Sequence, residues 1–472
     1  MQRLVSDMER AFFLLDRGHA FNGCIIMSLR GPLSESLLQA AMRRLEARHP
    51  LFRIRVERTR PEDDRQLRLT DEGARPMPLV VVPRHSDSTW QEVAMAELNS
   101  RFPVDSDHLN RLIWVRGRTQ SELLLVIHHV LADALSAAYA MRDLVSDLAL
   151  LWRDGELPPV ESLPLRPPLP QLLPASTRGL SRVGQMNAFF WKHIAGGLFR
   201  RARQLPCEGQ VPPADRRTSL VHRTLGGAAL QRLGDGCKRN ETTVHAALCS
   251  ALLLSTLDVA FAEEKQQQKP LTLGCWSAVN LRGELDPPVG EELGLYISQV
   301  TTFHRLLRRG QPPPSLWQLA REVKEQLGRT LKNGEQYLTL PMIGLFIPFG
   351  KNPGPRFVRR FDGASPAAIG VTNISRLPVP SAFGPFAIDN FHMVVSPSVV
   401  TRVLAAITTF GDRLNLNLLY AEPLVSRARA TAIVDGALGY LADAIAEEAD
   451  AAGDSRARGM VASASRTAKA RE

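Results

Sequence analysis

Two adjacent histidines, His128 and His129, stand at the end of an apolar run, and Asp133 follows four residues after the second. The stretch "LLLVIHHVLADALSAAYAM" (residues 123–141) is typical of a strand that passes into an apolar-faced helix. Neighbouring residues on a strand point to opposite faces, so one imidazole is expected inside the protein and the other in a groove or channel. A neutral imidazole, with an ordinary pKa near ~6.5, accepts a proton at physiological pH. The pattern therefore predicts a histidine general base.

The same residues allow other interpretations. The histidine pair could be buried and hydrogen-bonded without any chemistry, and Asp133 could anchor the loop through a basic partner or cap the following helix. A metal site built from His129, Asp133 and a third ligand is weaker, because no HExxH and no Cys/His cluster supports it, and we expect no metal. Serine nucleophile chemistry lacks its usual cue, since no GxSxG occurs.

The elements that must position these residues alternate between strand and helix. In the first block, about residues 1–155, the pattern predicts strands at 24–31, 51–58 and 122–129, and helices at 34–50, 89–102 and from Ala134 to Gly155. In the second block it predicts helices at 242–264, 315–334 and 426–450, strands at 271–283, 295–306 and 368–378, and a hairpin at 403–422 that turns at Gly411 and Asp412. This predicts an α/β fold of two similar-sized halves.

Seven prolines between Pro158 and Pro174 predict a stiff, extended connector without helix or central strand. A chain of 472 residues is also too long for one ordinary core. The predicted organisation is an N-terminal domain (1–155), a proline-rich linker (156–179), a C-terminal domain (180–450) and a disordered tail (451–472).

The composition, with 44% apolar and 22% charged residues, is typical of a soluble globular protein. The net charge is +10, but no zinc-finger spacing or basic-aromatic interleaving indicates a nucleic-acid partner. Five scattered cysteines without a CxxC pair suit a reducing cytosol. We expect a cytoplasmic monomer without a transmembrane segment. His49 is interpreted as a helix-end residue, and His245 and His392 as core or channel-lining residues.

The segment "HHVLADA" (128–134) resembles the HHxxxDG motif of the condensation-domain superfamily, with Ala134 in place of the glycine. Further segments resemble elements of that superfamily in the expected order: "LEARHPLFRIRV" (45–56), "TTVHAALCSALLLS", "AVNLRGEL" (278–285), "VTNISRLP" (371–378) and "ITTFGDRLNLNLLYAEPLVS". The similarity extends over nearly the whole chain. It is greatest to stand-alone polyketide-associated O-acyltransferases of the phthiocerol dimycocerosyl transferase type. The region 383–391, "FGPFAIDNF", departs from the DFGWG motif of peptide-forming domains, which favours ester formation.

The resemblance implies two chloramphenicol-acetyltransferase-like domains, arranged as a pseudo-dimer with an active-site channel between them. It implies that His129 is the general base and His128 a structural brace. Asp133 would pair with Arg282 across the domain interface. Asn373 would orient the acyl oxygen, although a turn residue that satisfies its own backbone remains an alternative for it.

The implied reaction moves an acyl group from a phosphopantetheine thioester, on an acyl carrier protein or coenzyme A, to a small-molecule alcohol. No bound cofactor is expected. Two alternatives stay open: amide formation with an amine acceptor, and a non-catalytic module that only docks a partner. Arg200 and Arg201 are candidates for contacting the donor phosphates or an acidic carrier protein.

Overall fold

A computed structural model describes residues 2–60, 63–103, 106–177, 184, 186–187, 202–377 and 379–451. Its strands are β1 Gln2–Leu4, β2 Asn22–Arg30, β3 Arg55–Arg58, β4 Leu67–Thr70, β5 Leu79–Pro83, β6 Asn110–Arg116, β7 Ser121–His128, β8 Ala202–Arg203, β9 Arg217–Gly226, β10 Leu271–Asn280, β11 Ile297–Leu307, β12 Ile369–Arg376, β13 Ala382–Phe383, β14 Phe386–Val395, β15 Val403–Phe410 and β16 Arg413–Glu422.

The α-helices are α1 Asp7–Asp16, α2 Glu35–Arg48, α3 Thr89–Leu98, α4 Ala134–Asp154, α5 Leu169–Leu172, α6 Gly227–Arg239, α7 Val244–Ala260, α8 Ala262–Gln266, α9 Leu316–Lys332, α10 Gln336–Leu345, α11 Gly354–Phe361 and α12 Arg427–Ala451. Their ends follow capping chemistry. Asp133 caps α4 at its start, and Gly155 ends it with φ at 78°, a left-handed conformation that glycine adopts without a Cβ penalty. The predicted end of this helix at Gly155 is confirmed.

Two large sheets dominate the fold. The N-terminal sheet has the strand order β13-β14-β2-β7-β6-β5, and the C-terminal sheet has the order β11-β10-β12-β15-β16-β9, with β8 paired to β10. A small third sheet has the order β1-β4-β3. Each large sheet carries its own apolar core, and the predicted α7 is the buried helix of the second.

One strand crosses between the two halves of the sequence. β14 pairs antiparallel with β2, so a segment of the C-terminal half completes the N-terminal sheet. The sequence pattern assigned all of 180–450 to the second domain. Strand pairing between distant segments leaves no local trace in the sequence, so this exchange was missed. The domain boundaries themselves stay a prediction.

Some predicted elements differ from the structure in their detail. The strand predicted at 51–58 begins only at Arg55, because Pro50–Arg53 forms a 3₁₀ turn. The proline-rich connector contains the short helix α5, which starts at Leu169 directly after Pro168. Proline is tolerated in the first turn of a helix, where its missing N–H has no intrahelical partner. Leu172 is buried there against Leu281 and Leu285.

The hairpin predicted at 403–422 is confirmed. β15 and β16 pair antiparallel, with Phe410 opposite Arg413, and the turn lies at Gly411, whose φ is 59°. In the described ranges, no single helix is long and apolar enough to cross a membrane; α6 and α7, bent by 99° to each other, reach that length and composition only as a pair.

Candidate active site

The histidine pair lies where the central strand β7 ends. His128 is its last residue and is fully buried, and its Nδ1 accepts a hydrogen bond of 3.1 Å from the amide of Val130. Its ring stacks on Phe13 at 4.7 Å between centroids. Burial lowers the pKa of His128 to about 3, so the imidazole is neutral. His128 therefore packs as part of the core.

Asp16 accompanies His128 in this core. Its Oδ1 lies 3.6 Å from Nε2 of His128 and accepts a hydrogen bond from the amide of Phe21. Burial raises the pKa of Asp16 to about 7. The sequence pattern did not single out this residue, because its neighbour is more than a hundred positions away in the chain.

His129 follows in the turn after β7 and is half-buried. Its Nδ1 lies 3.0 Å from the carbonyl oxygen of Ala132, so Nδ1 carries the proton and donates it to that carbonyl. This leaves the lone pair of Nε2 free. The rings of Phe12 and Phe21 lie within 5.5 Å of the imidazole, and burial lowers the pKa of His129. The ring is a neutral base held in one tautomer.

Two cavities meet at His129. The inner cavity, of about 320 Å³, lies against one face of the N-terminal sheet and is lined by paired residues of β2, β7 and β14: Gly23, Ile25, Leu125, Ile127, Met393 and Val395. The outer cavity, of about 180 Å³, is lined by residues of α1, α10, β10 and β11 and by the segment 395–404. Both are bounded by His129 and by Thr372 of β12. Both cavities are therefore bounded by the same imidazole.

The end of β10 forms part of the C-terminal wall of these cavities. Trp276 and Ala278 line the outer cavity, and Ala278, Val279 and Asn280 line the inner one. The intervening Ser277 faces α7, where its hydroxyl lies 2.9 Å from Nε2 of His245. His245 thus belongs to the core side of the sheet, one of the two interpretations that the sequence allowed.

The carboxylate of Asp133 contacts residues of the C-terminal half. Its Oδ1 and Oδ2 lie 3.1 and 3.2 Å from Nη2 of Arg282, and both residues are buried. Oδ1 also accepts the amide of Ser136, and Oδ2 accepts the amide of Tyr296, both within 2.9 Å. The guanidinium further donates to the Ser136 hydroxyl and lies over the Tyr296 ring. Every oxygen lone-pair direction is used for holding the loop, which leaves none directed at a metal or a proton.

Asn373 lies within β12 and lines the inner cavity. Its Oδ1 accepts a hydrogen bond of 2.7 Å from the amide of Ser375, whose φ is 58°. The carboxamide oxygen therefore closes a turn on its own backbone, as the alternative interpretation expected. The Nδ2 group is the part of the side chain that remains to donate a hydrogen bond into the cavity.

The other predicted positions divide as follows. Arg200 and Arg201 lie outside the described residues. His49 is the C-cap of α2 and hydrogen-bonds to Asp143, which confirms its interpretation as a helix-end residue. His392 is buried and stacks on His222 in the core. Thr372, which borders both cavities, was not predicted, because a threonine in a strand carries no distinguishing pattern.

Comparisons with known proteins agree with this architecture. Residues 216–419 match the sequence model of the phthiocerol/phthiodiolone dimycocerosyl transferase C-terminus. The nonribosomal peptide synthetase kk1B of Curvularia clavata is 22% identical over 315 residues, which cover 63% of this chain. The match spans only 2% of the length of that synthetase.

Solved structures of low sequence identity share the fold. Polyketide synthase associated protein 5 from Mycobacterium tuberculosis superposes with a TM-score of 0.63 at 15% identity, over 94% of this chain and 98% of its own. The trichothecene 15-O-acetyltransferase from Fusarium sporotrichioides gives 0.70 at 13% identity, over 93% and 95%. The first condensation domain of the calcium-dependent antibiotic synthetase gives 0.67 at 14% identity, over 94% and 96%.

These similarities confirm the predicted α/β fold of two acyltransferase-like halves. Residues 216–419 are similar to the phthiocerol/phthiodiolone dimycocerosyl transferase C-terminus, and nearly the whole chain shares the fold of condensation domains and related acyltransferases.

Proposed function

We propose that this protein transfers an acyl group from a phosphopantetheine thioester to an alcohol and so forms an ester, with His129 as the general base. The observation that carries the proposal is the position of Nε2 of His129. This nitrogen has a free lone pair, because Nδ1 is engaged by Ala132, and its ring borders both cavities. One base is thus accessible to two substrates that arrive from different sides.

In the proposed reaction, the alcohol gives its proton to Nε2 of His129 as its oxygen attacks the thioester carbon. A carbon–oxygen bond forms, and the carbonyl electron pair moves onto the carbonyl oxygen. When that pair returns, the carbon–sulfur bond breaks and the departing sulfur takes the proton back from the imidazolium. The products are an ester and a free thiol, and His129 is again neutral.

The surroundings of His129 suit this cycle. The carbonyl of Ala132 accepts the Nδ1 proton at 3.0 Å and stabilises the imidazolium that forms in each turnover. The apolar walls of both cavities exclude water, which favours transfer to the alcohol over hydrolysis of the thioester. Holding the two reactants at one base also removes much of the entropic cost of bringing them together.

Nδ2 of Asn373 is our candidate donor to the carbonyl oxygen as its negative charge develops. The turn that binds Oδ1 of Asn373 orients the amide group and leaves Nδ2 available. The donor is proposed to be an acyl group on a carrier protein or on coenzyme A, with Arg200 and Arg201 as candidate contacts to its phosphates or carrier.

The first test replaces His129 with Ala and measures ester formation by mass spectrometry across acyl donors and alcohols. We expect a loss of about 10²- to 10⁴-fold, the usual contribution of a positioned general base. The matched control is His85→Ala, since His85 is exposed at the surface. Turnover by the His129 variant equal to that of the control would refute the proposal, and a preference for amines over alcohols would redirect it to amide formation.

The pH dependence of the rate provides a second test. Because burial lowers the pKa of His129 and the reaction needs its neutral form, kcat/KM should stay constant as the pH falls to the ordinary imidazole value of about 6.5 and decline only below it. A rate that already declines above that value would contradict the assignment of His129 as a desolvated base.

A further inference from the structure

The turn between α10 and α11 presents a large apolar ring beside several cations. Phe349 is 99% exposed, more than the other large apolar side chains in the described part of the chain. Lys351 follows it, and Arg356, Arg359 and Arg360 are exposed on α11. We call these five residues the basic tip.

The cations of the basic tip have few charged partners: Lys351 lies near enough to Asp63 to lower its pKa, and Arg360 lies over the Phe346 ring at 5.0 Å. Within the ranges that the structure describes, none of the four forms an ion pair with a carboxylate. Carboxylates of adjoining segments are instead paired with other arginines: Asp362 with Arg216, Asp63 with Arg65, and Asp64 with Arg17. The basic tip therefore adds a local positive potential to a chain whose net charge is +10.

The basic tip is firmly attached to the fold. The carbonyl of Lys351 accepts a hydrogen bond of 2.9 Å from the amide of Asp64, and the side chains of Arg17 and Asn352 are hydrogen-bonded. A Cβ at Gly344 of α10 would lie 2.7 Å from Cβ of Asp7, so α10 packs directly on α1. The opposite face of α11 buries Phe357. Phe349 is therefore exposed on a segment whose neighbours are hydrogen-bonded and packed.

A protruding aromatic ring beside exposed cations that form no salt bridge in the described part of the chain has the chemistry of a membrane-surface contact. The ring enters the boundary between head groups and acyl chains, while the cations attract anionic lipid head groups. The Phe349 side chain is 99% exposed, so the basic tip presents a protruding ring and no groove. A fluid lipid bilayer can take up such a ring without a preformed pocket.

The basic tip also adjoins the outer cavity. Thr339 and Ile343 of α10 and Phe361 of α11 line that cavity, so the helices that carry the tip form part of its wall. We propose that the basic tip docks the protein reversibly on an anionic lipid bilayer. A lipid-soluble substrate would then have a short path to the outer cavity, a consequence that rests on the proposed transfer reaction; the docking itself does not.

The test measures binding of the full chain to sedimented vesicles without any substrate. Vesicles of phosphatidylcholine with phosphatidylglycerol should bind the protein, vesicles of phosphatidylcholine alone should bind it far less, and added salt should release it. Reversal of three cations, R356E/R359E/R360E, should lower the partition constant by about 100-fold or more, at roughly fivefold for each cation near the surface. Phe349→Ser should lower it by about tenfold, because the ring no longer enters the bilayer.

Matched controls separate docking from general effects of charge and surface. R305E/R308E/R309E reverses as many exposed cations at the far end of β11, and Trp152→Ala removes another exposed ring. Both controls should bind vesicles as the parent chain does. Equal losses in test and control variants, or no vesicle binding by the parent chain, would overturn the proposal. A different result would show a protein-docking surface instead: the parent chain would not bind vesicles, and R356E/R359E/R360E would lose turnover with a donor carried on a protein but not with a coenzyme A donor.

Discussion

At the level of single residues, Asp133 shows what local pattern leaves open. The sequence allowed it to cap α4 or to anchor the loop through a basic partner. The structure shows both, because Oδ1 accepts the amide of Ser136 while both oxygens contact Arg282. The cap is a local feature and readable from the sequence. The partner lies 149 positions away, so only the resemblance to a family indicated it.

The buried ion pair of Asp133 and Arg282 predicts that single and double replacements change the free energy of unfolding by different amounts. Asp133→Ala should lower the free energy of unfolding by about 3–5 kcal/mol, because it leaves the Arg282 charge buried without a partner. Arg282→Met should lower the free energy of unfolding by a comparable amount. The double variant D133A/R282M should lower it by clearly less than the sum of the two single losses, since it leaves no unpaired charge. Urea denaturation of the four proteins measures the coupling.

The control for this cycle is the exposed pair of Arg30 and Asp389, which also makes several hydrogen bonds. Asp389→Asn should hardly change the urea midpoint, because solvent already screens that pair. Additive costs of D133A and R282M would show that the two side chains stabilise the fold independently of each other.

At the level of elements, strand alternation places the cavity walls. Trp276 and Ala278 face the cavities while Ser277 faces the core, as the period of two requires. The sequence predicted β10 but not its register with β12. In that register Trp276 lies opposite Gly370, and a Cβ at Gly370 would meet the indole at 2.2 Å. Glycine at this position therefore makes room for the tryptophan that bounds the outer cavity.

Gly370→Ala should displace the Trp276 ring toward the outer cavity. We expect a loss of about 1–3 kcal/mol in the free energy of unfolding, the usual cost of overpacking. Transfer should fall most for the substrates that fill the outer cavity most completely. Thermal unfolding and rates across a series of acyl chain lengths measure the two effects.

Gly439→Ala provides the comparison, because, apart from its two chain neighbours and the nearby backbone of its own helix, no described atom lies within 4 Å of the position where its Cβ would be. Gly439 lies within α12, where alanine is the better helix former, so this variant should be slightly more stable than the parent. Equal behaviour of the two alanine variants would mean that Trp276 is not held by Gly370.

At the level of the whole molecule, the contact between the halves relies on buried amide side chains. Asn415 and Asn417 alternate with leucines in β16, and both are fully buried. Asn415 exchanges two hydrogen bonds of 2.9 and 3.1 Å with Asn390 of β14. Asn417 donates to the carbonyl of Met393 at 2.7 Å. These amides join the C-terminal sheet to the strand that completes the N-terminal one.

The paired amides predict opposite results for single and double replacement. Asn415→Leu should lower the free energy of unfolding by about 1–3 kcal/mol, because it leaves the buried amide of Asn390 unsatisfied. N390L/N415L removes both polar partners and should recover much of that loss. Chemical denaturation measures the energies, and hydrogen exchange of β14 reports whether the halves separate. A double variant less stable than both single variants would contradict the reciprocal bond.

The local features could be predicted from the sequence: strand β7 with a histidine on either side of its end, the cap of α4, the hairpin of β15 and β16, and the alternation of strand and helix. Hydrophobic period and capping act over a few residues, so they are legible in one chain. Contacts between residues far apart in the chain became visible only in the folded protein. The exchange of β14 depends on strand pairing, and the burial of Asn415 depends on how the two large sheets meet. The basic tip was missed for a related reason, because burial of Phe357 depends on the packing of α11 on α1 and not on residue type.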